Sequence, residues 1–182
     1  MTALRALSWD HDGADWPNRT ASRFVEAGGL RWHVQRTGSG PPILLLHGTG
    51  ASTHTWRDLM PVWAREFTVV SVDLPGHAFT GTADTALMTL PGMAQAVQAL
   101  MHALAMKPAV LVGHSAGAAV AAEALARDAP FRSSARGAAP IGPASLGLAR
   151  SHPGPAGPPL ATEVQDGRQR DATLRESLPI AP

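Results

Sequence analysis

The sequence predicts an α/β fold with a mostly parallel sheet and helices on both faces. Short apolar runs, typical of strands buried on both faces, alternate with stretches of helical period. Three motifs rich in glycine or polar residues directly follow such strand runs: His47-Gly48, Asp73 to His77 and Ser115. Because ligands of parallel sheets bind at the carboxyl ends of the strands, these motifs mark the expected site.

The elements are predicted in the order β-β-β-α-β-α-β-α. Gly28-Gly29 joins the first two strand runs and indicates a hairpin. Lys107-Pro108 ends the longest helix. The predicted strands are Phe24–Ala27, Leu30–Arg36, Ile43–Leu46, Thr68–Val72 and Ala109–Val112, and the predicted helices are Thr55–Arg65, Leu90–Met106 and Ala116–Arg127.

The chain divides by composition into three parts. Residues 1–22 are polar and form an irregular N-terminal arm, and residues 23–128 hold the partial α/β domain. Residues 130–182 contain nine of the sixteen prolines and show no buried-strand run. Such a segment buries too little apolar surface to offset its ordering entropy, so we expect residues 129–182 to be a disordered tail.

Composition excludes several classes of function. A chain of 182 residues with 45% hydrophobic content suits one globular domain, and its net charge of +1 gives no indication of nucleic-acid binding. Without cysteine there is no disulfide, cysteine zinc site or thiol catalysis. The first 15 residues lack the apolar core of a signal peptide, and polar residues interrupt the most apolar window. We expect a cytoplasmic protein with no membrane span, no cofactor and no metal.

The strongest chemical motif is Gly113-His114-Ser115-Ala116-Gly117. It lies between an apolar strand run and a helix, which is the pattern of a nucleophile elbow, a strained turn that exposes a serine hydroxyl. The two glycines leave room for a turn this sharp. Ser115 is therefore the candidate catalytic nucleophile for acyl transfer or hydrolysis. The alternative is an incidental glycine-rich turn, with or without a phosphate-binding role.

The loop His47-Gly48-Thr49-Gly50 supplies the second part of the predicted site. The backbone amides of Thr49 and Ala116 together would form an oxyanion hole. We expect the His47 side chain to hydrogen-bond the backbone of its own loop. The pocket candidates are His47, Gly48, His54 and His114.

Three other residues receive structural interpretations. Asp73 is expected to make an Asx-type hydrogen bond within its proline-glycine turn. Trp56 is expected to be a core anchor, and His33 a structural residue on a strand face.

The base for Ser115 is an open question, because His152 is the one histidine that follows it in the sequence. No acid in the later sequence stands at the end of a readable strand.

Together these motifs resemble the α/β-hydrolase family. The matching segments are Leu45 to Gly48, Trp56, Asp73 to His77 and Gly113 to Gly117. The resemblance implies the N-terminal part of an α/β-hydrolase fold, a serine nucleophile and a small ester-like substrate.

More narrowly, the chain resembles the magnesium chelatase accessory proteins of bacteriochlorophyll biosynthesis, which are α/β-hydrolase homologues. The segments are Asp15 to Arg19, Gly29 to Arg36, His47 to Trp56 and Leu90 to Met93. This resemblance implies a porphyrin intermediate as ligand and a pigment-biosynthesis protein as partner.

Two departures from the family pattern lead to a further hypothesis. Ala78 stands where the family usually has glycine, and family chains run on well past 182 residues. The tail resembles a GC-rich gene read out of frame, so we expect a truncated or frameshifted product after about residue 128. Translating the DNA in the other frames tests this expectation. Three functions stay open: an accessory protein, a serine hydrolase, or an inactive fragment with Ala109–Val112 at an unprotected sheet edge.

Overall fold

A computed structural model of the chain describes residues 7–82 and 84–141. These residues form a sheet of six strands in the spatial order β1-β2-β4-β3-β5-β6. The strands are β1 (Ser22–Ala27), β2 (Leu30–Thr37), β3 (Pro42–Leu46), β4 (Thr68–Val72), β5 (Val110–His114) and β6 (Gly137–Ile141). The helices are α1 (Trp9–Asp12), α2 (Leu59–Trp63), α3 (Leu90–Ala103), α4 (Ala116–Arg127) and α5 (Ala129–Ser134), with shorter 3-10 turns at Arg19–Ala21, Thr53–Trp56 and Thr85–Met88.

The sheet is mostly parallel, as predicted. β3, β4, β5 and β6 run parallel, whereas β1 pairs antiparallel with β2 and β2 antiparallel with β4. Leu46 at the end of β3 lies opposite Val72 of β4 and Gly113 of β5. The loops that follow these three strands therefore leave the sheet at one edge, and this edge carries the candidate site.

The predicted hairpin between β1 and β2 is confirmed. Gly28 and Gly29 have φ angles of 58° and 75°, both in the left-handed region that glycine adopts without steric cost. Two residues of this conformation match the right-handed twist of the flanking strands.

The core lies on both faces of the sheet, because successive strand side chains point to opposite sides. Leu44 and Leu46 belong to the larger cluster, which packs against α3 and α4. Ile43 and Leu45 belong to the smaller cluster, which contains Trp56 and Met60. The expectation that Trp56 anchors the core is thus confirmed; its side chain is buried.

The helix predicted at Thr55–Arg65 is wrong in extent. The structure has a 3-10 turn at Thr53–Trp56 and then the five-residue helix α2. Pro61 explains the break, because proline has no amide hydrogen and is tolerated only in the first turn of a helix. Helix α3 ends at Ala103, three residues earlier than predicted, and Ala105 adopts a left-handed φ of 50° beyond it.

The expectation of a disordered segment after residue 128 is corrected for residues 129–141. The Asp128 carboxylate accepts a hydrogen bond of 3.0 Å from the Phe131 amide at the start of α5. β6 then pairs with β5 along its whole length, so β5 is not the unprotected edge that we expected. Residues 142–182, including His152, lie outside the described residues.

The N-terminal arm is more regular than expected, since it contains α1 and the 3-10 turn Arg19–Ala21. The described residues all fall in one compact unit. Within residues 7–82 and 84–141, no helix has the length and apolar character that crossing a bilayer requires.

Candidate functional site

Ser115 sits between β5 and α4 with a backbone conformation that is rare for any residue other than glycine. Its φ is 51° and its ψ is −117°. Such a conformation costs about 1–3 kcal/mol and persists where the surrounding structure imposes it. The Ser115 amide donates to Ile141 of β6 at 3.0 Å, and the Ser115 carbonyl accepts from Ala118 at 2.9 Å. These bonds hold the turn and leave the side chain partly exposed.

Three glycines allow close packing at this turn, because neighbouring atoms lie where a side chain would be. A Cβ on Gly117 would be 2.1 Å from the Leu46 carbonyl oxygen, and one on Gly113 would be 2.4 Å from the Ala118 backbone. A Cβ on Gly48 would be 3.2 Å from Ser115 Cβ. The loop after β3 therefore packs directly against the serine.

His47 lies in this loop with its imidazole fully buried. Its Nδ1 atom is 2.8 Å from the Gly48 carbonyl, to which it donates, and its Nε2 atom accepts from the Leu74 amide at 2.9 Å. Burial lowers the pKa of His47, the Gly48 hydrogen bond and the Asp73 charge raise it less, and the nearby His77 and His114 lower it further. Both ring nitrogens bond backbone, so His47 fastens two loops, in agreement with its structural interpretation.

The two amides predicted to form an oxyanion hole belong to the two segments that meet at Ser115: the start of α4 and the loop after β3. Ala116 is the first residue of α4, where a helical amide has no acceptor within its own helix. Thr49 follows Gly48 in an exposed loop, and its amide has no hydrogen-bond acceptor among the described residues. Neither amide therefore has a hydrogen-bond acceptor among residues 7–82 and 84–141.

The remaining pocket candidates differ in exposure. His54 is exposed, with its ring centroid 5.7 Å from that of Trp16 and its Nδ1 atom 3.3 Å from Arg57 Nη1. His114 is half-buried, and its Nδ1 atom is buried without a hydrogen-bond partner. No histidine within residues 7–82 and 84–141 hydrogen-bonds Ser115 Oγ, so the structure does not bring a base to the serine there.

Asp73 has a larger role than its predicted Asx turn, and that prediction is wrong. Its fully buried carboxylate accepts from the Thr53 amide at 2.7 Å and from the Phe79 amide at 3.2 Å. Oδ2 also lies 2.8 Å from Nδ1 of His33. Asp73 therefore joins strand β2 to the loops that follow β3 and β4. His33 is buried on β2 as expected, but its partner was not apparent from the sequence.

Comparison with known proteins decides the family. The sequence profile of the alpha/beta hydrolase family matches residues 43–179, which is most of the chain. The chain belongs to the alpha/beta hydrolase family. This family match continues past residue 128, where the motif resemblance ended.

Two curated relatives of this alpha/beta hydrolase chain are named for different functions. The "Magnesium-chelatase 30 kDa subunit" of Rhodobacter capsulatus is 40% identical over 119 residues, 64% of this chain and 42% of that protein. The dihydrolipoyllysine-residue acetyltransferase component of the acetoin cleaving system of Pseudomonas putida is 38% identical over 112 residues, 59% of this chain and 30% of that protein. The chain thus spans less than half the length of these curated relatives.

A solved structure shows the same fold. The epoxide hydrolase VrEH1 from Vigna radiata matches with a TM-score of 0.56 and 28% identity, covering 60% of this chain and 36% of that structure. This member of the alpha/beta hydrolase family thus has a strained serine turn at Ser115, and no base contacts Ser115 Oγ within residues 7–82 and 84–141.

Two further features of the described residues concern ligands. No group of three histidine, aspartate or glutamate side chains there is arranged to hold a metal ion. A void of about 10 Å³ lies between α4 and the β5–β6 pair. It is lined by small or apolar residues that do not include Ser115: Leu111, Gly113, Ala118, Ala121, Ala138, Ala139 and Pro140.

Proposed function

We propose that this chain acts as an accessory protein of magnesium chelatase that binds a porphyrin intermediate of pigment biosynthesis. The observation that carries the proposal is a serine turn built without a base among the described residues, next to two free amides. Such a site holds an anionic oxygen without activating the serine as a nucleophile. The 40% identity to a magnesium-chelatase subunit supports this context. A pigment-biosynthesis partner and a cytoplasmic location are parts of the same proposal.

The chemistry at this edge of the sheet suits a porphyrin carboxylate. The N-terminus of α4, a helix of 12 residues, carries partial positive charge that favours an anion beside the Ala116 amide. The Thr49 amide adds a second donor. A carboxylate side arm of a porphyrin would accept hydrogen bonds from both.

An apolar side chain near the same edge suits the porphyrin ring. Met88 is 45% exposed. A Cβ on Gly76, in the loop after β4, would be 2.9 Å from Met88 Cε. Met88 therefore lies against a loop of the candidate site, where it would pack on a flat apolar ligand.

A spectroscopic titration tests this proposal. Protoporphyrin added to the chain should show a saturable change in its absorbance, and Met88→Glu should weaken binding about tenfold because it places a charge against the ring. The matched control is Val62→Glu, a similarly exposed position on α2 outside the site. An unchanged spectrum with excess unaltered protein, or equal weakening by both variants, would contradict the proposal.

A second candidate function is a serine hydrolase, and the strained φ of 51° at Ser115 favours it. In this mechanism Ser115 Oγ bonds the ester carbonyl carbon, its proton passes to a base that residues 7–82 and 84–141 do not supply, and the Thr49 and Ala116 amides hold the oxyanion. A fluorophosphonate should then label Ser115, and Ser115→Ala should abolish the label. The absence of labelling at Ser115 would exclude Ser115 as the nucleophile of a hydrolase and leave the porphyrin titration unaffected.

A further inference from the structure

A complete serine–histidine–aspartate chain of hydrogen bonds exists elsewhere in the molecule. His33 Nδ1 lies 2.8 Å from Asp73 Oδ2, and His33 Nε2 lies 3.0 Å from Ser22 Oγ. The serine stands at the start of β1, the edge strand at the opposite end of the sheet order from β5 and β6. The Gly-x-Ser-x-Gly motif takes no part in this chain.

The hydrogen-bond partners of His33 and Ser22 determine which atoms donate and which accept. A carboxylate only accepts hydrogen bonds, so the neutral imidazole of His33 carries its proton on Nδ1 and leaves Nε2 as an acceptor. Gln35 Nε2 donates to Ser22 Oγ at 3.1 Å. The Ser22 hydroxyl hydrogen is then directed at His33 Nε2, which is the arrangement that general-base activation requires.

Aromatic rings enclose the imidazole and keep its orientation fixed. The ring centroid of His33 lies 4.8 Å from that of Trp9, 5.3 Å from that of Phe79 and 5.5 Å from that of Phe24. His33 and Asp73 are both fully buried, and their hydrogen bond is strengthened by the low local dielectric. Ser22 is partly exposed as a residue, whereas His33 and Asp73 are fully buried, so the serine is the member of the chain nearest the solvent.

We propose that Ser22 is a second, activated serine that accepts acyl groups from small activated esters. Ser22 Oγ forms a bond to the ester carbonyl carbon while its proton passes to His33 Nε2. The bond to the leaving oxygen then breaks, and His33 returns the proton to that oxygen. A water molecule, with His33 again as the base, hydrolyses the acyl-serine to a carboxylic acid. This reactivity goes beyond the proposed porphyrin-binding function and does not use Ser115.

The test uses p-nitrophenyl acetate on the full chain carrying Ser115→Ala. Peptide mapping should find an acetyl group on Ser22, and Ser22→Ala should remove it. Because the chain has no cysteine, single-cysteine variants give a second measurement that does not depend on the lifetime of the acyl-serine. Ser22→Cys should react with iodoacetamide about tenfold faster at neutral pH than the exposed control Ser39→Cys, since His33 withdraws the thiol proton.

Each outcome has a defined meaning. Acetylation at Ser22 supports the proposal, and so does a fast Ser22→Cys thiol without stable acetyl product, because rapid hydrolysis then empties the serine. No acetylation at Ser22, together with Ser22→Cys and Ser39→Cys thiols of equal rate, would overturn it. The porphyrin titration of the same proteins is a separate measurement, so failure here leaves the accessory function standing.

Discussion

Ser115 and Ser22 differ in both of the features that an active serine combines. Ser115 has a strained backbone, with a φ of 51°, and no described hydrogen-bond partner for its hydroxyl. Ser22 lies in a regular strand, and its hydroxyl bonds His33 at 3.0 Å and Gln35 at 3.1 Å. One serine has the exposed turn without a base, and the other has the base without the turn.

Local sequence and long-range packing therefore contribute separate parts of a reactive site. The strain at Ser115 accompanies close packing of nearby glycines: a Cβ on Gly48 would lie 3.2 Å from Ser115 Cβ, and one on Gly117 would lie 2.1 Å from the Leu46 carbonyl oxygen. The base at Ser22 comes from a partner 11 positions away, which in turn bonds Asp73, 40 positions further on. Geometry that a short motif encodes is readable from sequence, whereas a hydrogen-bond chain across strands is not.

Removal of the Asp73 carboxylate has the largest expected effect on this comparison. Asp73→Ala leaves two buried amides and His33 without their acceptor, so it should lower the free energy of unfolding by about 3–5 kcal/mol. Urea unfolding measures the change. Asp58→Ala, at a side chain that is 83% exposed, is the control and should change stability by less than about 0.5 kcal/mol. Equal effects of the two variants would show that Asp73 is not the junction described here.

A methyl group at Gly117 should destabilise the turn that holds Ser115. Gly117→Ala places Cβ 2.1 Å from the Leu46 carbonyl oxygen, so it should cost about 2–3 kcal/mol in urea unfolding. The matched control is Gly137→Ala in β6, where a new Cβ meets nothing within 4 Å. If Gly117→Ala unfolds at the same urea concentration as the control, the close contact between α4 and β3 is refuted.

The pH dependence of stability tests whether His47 is buried in the loop after β3. Burial lowers the pKa of His47 below its ordinary value near 6.5, so the unfolded chain binds this proton more readily than the folded chain. His47 therefore contributes stability above about pH 6.5 that is lost as the pH falls, by up to about 1.4 kcal/mol per pH unit. The difference between the urea midpoints at pH 7.5 and pH 5.5 should be smaller in His47→Asn than in the exposed control His102→Asn. An equal difference in the two variants would contradict this assignment.

The two serines should respond in opposite directions to small substitutions, with the smallest effects of the series. Ser115→Gly relieves the left-handed φ and should raise stability by about 1 kcal/mol. Ser22→Ala removes two hydrogen bonds and should lower stability by about 1 kcal/mol. Thermal unfolding of both variants beside the unaltered chain checks the signs. A loss of stability in Ser115→Gly would mean that the turn is not strained.

Much of the fold was predictable because it depends on local patterns. The hairpin glycines, the apolar runs of β3 and β4 and the long helix α3 all have clear periodicity or turn residues. β6 was missed because Gly137–Ile141 contains small residues and proline, with no apolar run. Its pairing with β5 holds it in the sheet, and pairing of this kind is a long-range effect. Residue 78, in contrast, is a local feature that the sequence did reveal. The unusual alanine there has a φ of 42°, where glycine is favoured.

The candidate site was predictable in its backbone but not in its polar connections. Gly48, Gly117 and the Ser115 turn follow from motif spacing. The Asp73 junction depends on Thr53 and His33, 20 and 40 positions away. The available signal was a buried aspartate at a strand end and a histidine in a buried strand. Predicting that the two residues contact each other would have required the order of the strands in the sheet.

The central claim is that base and strained turn belong to different serines in the described part of this chain. The most direct test treats the unaltered protein with a fluorophosphonate and measures the labelled fraction of each serine by peptide mass spectrometry. We predict that Ser22 is labelled about tenfold more than Ser115, because His33 activates it. Labelling confined to Ser115 would contradict the claim and show that a working base reaches the strained turn.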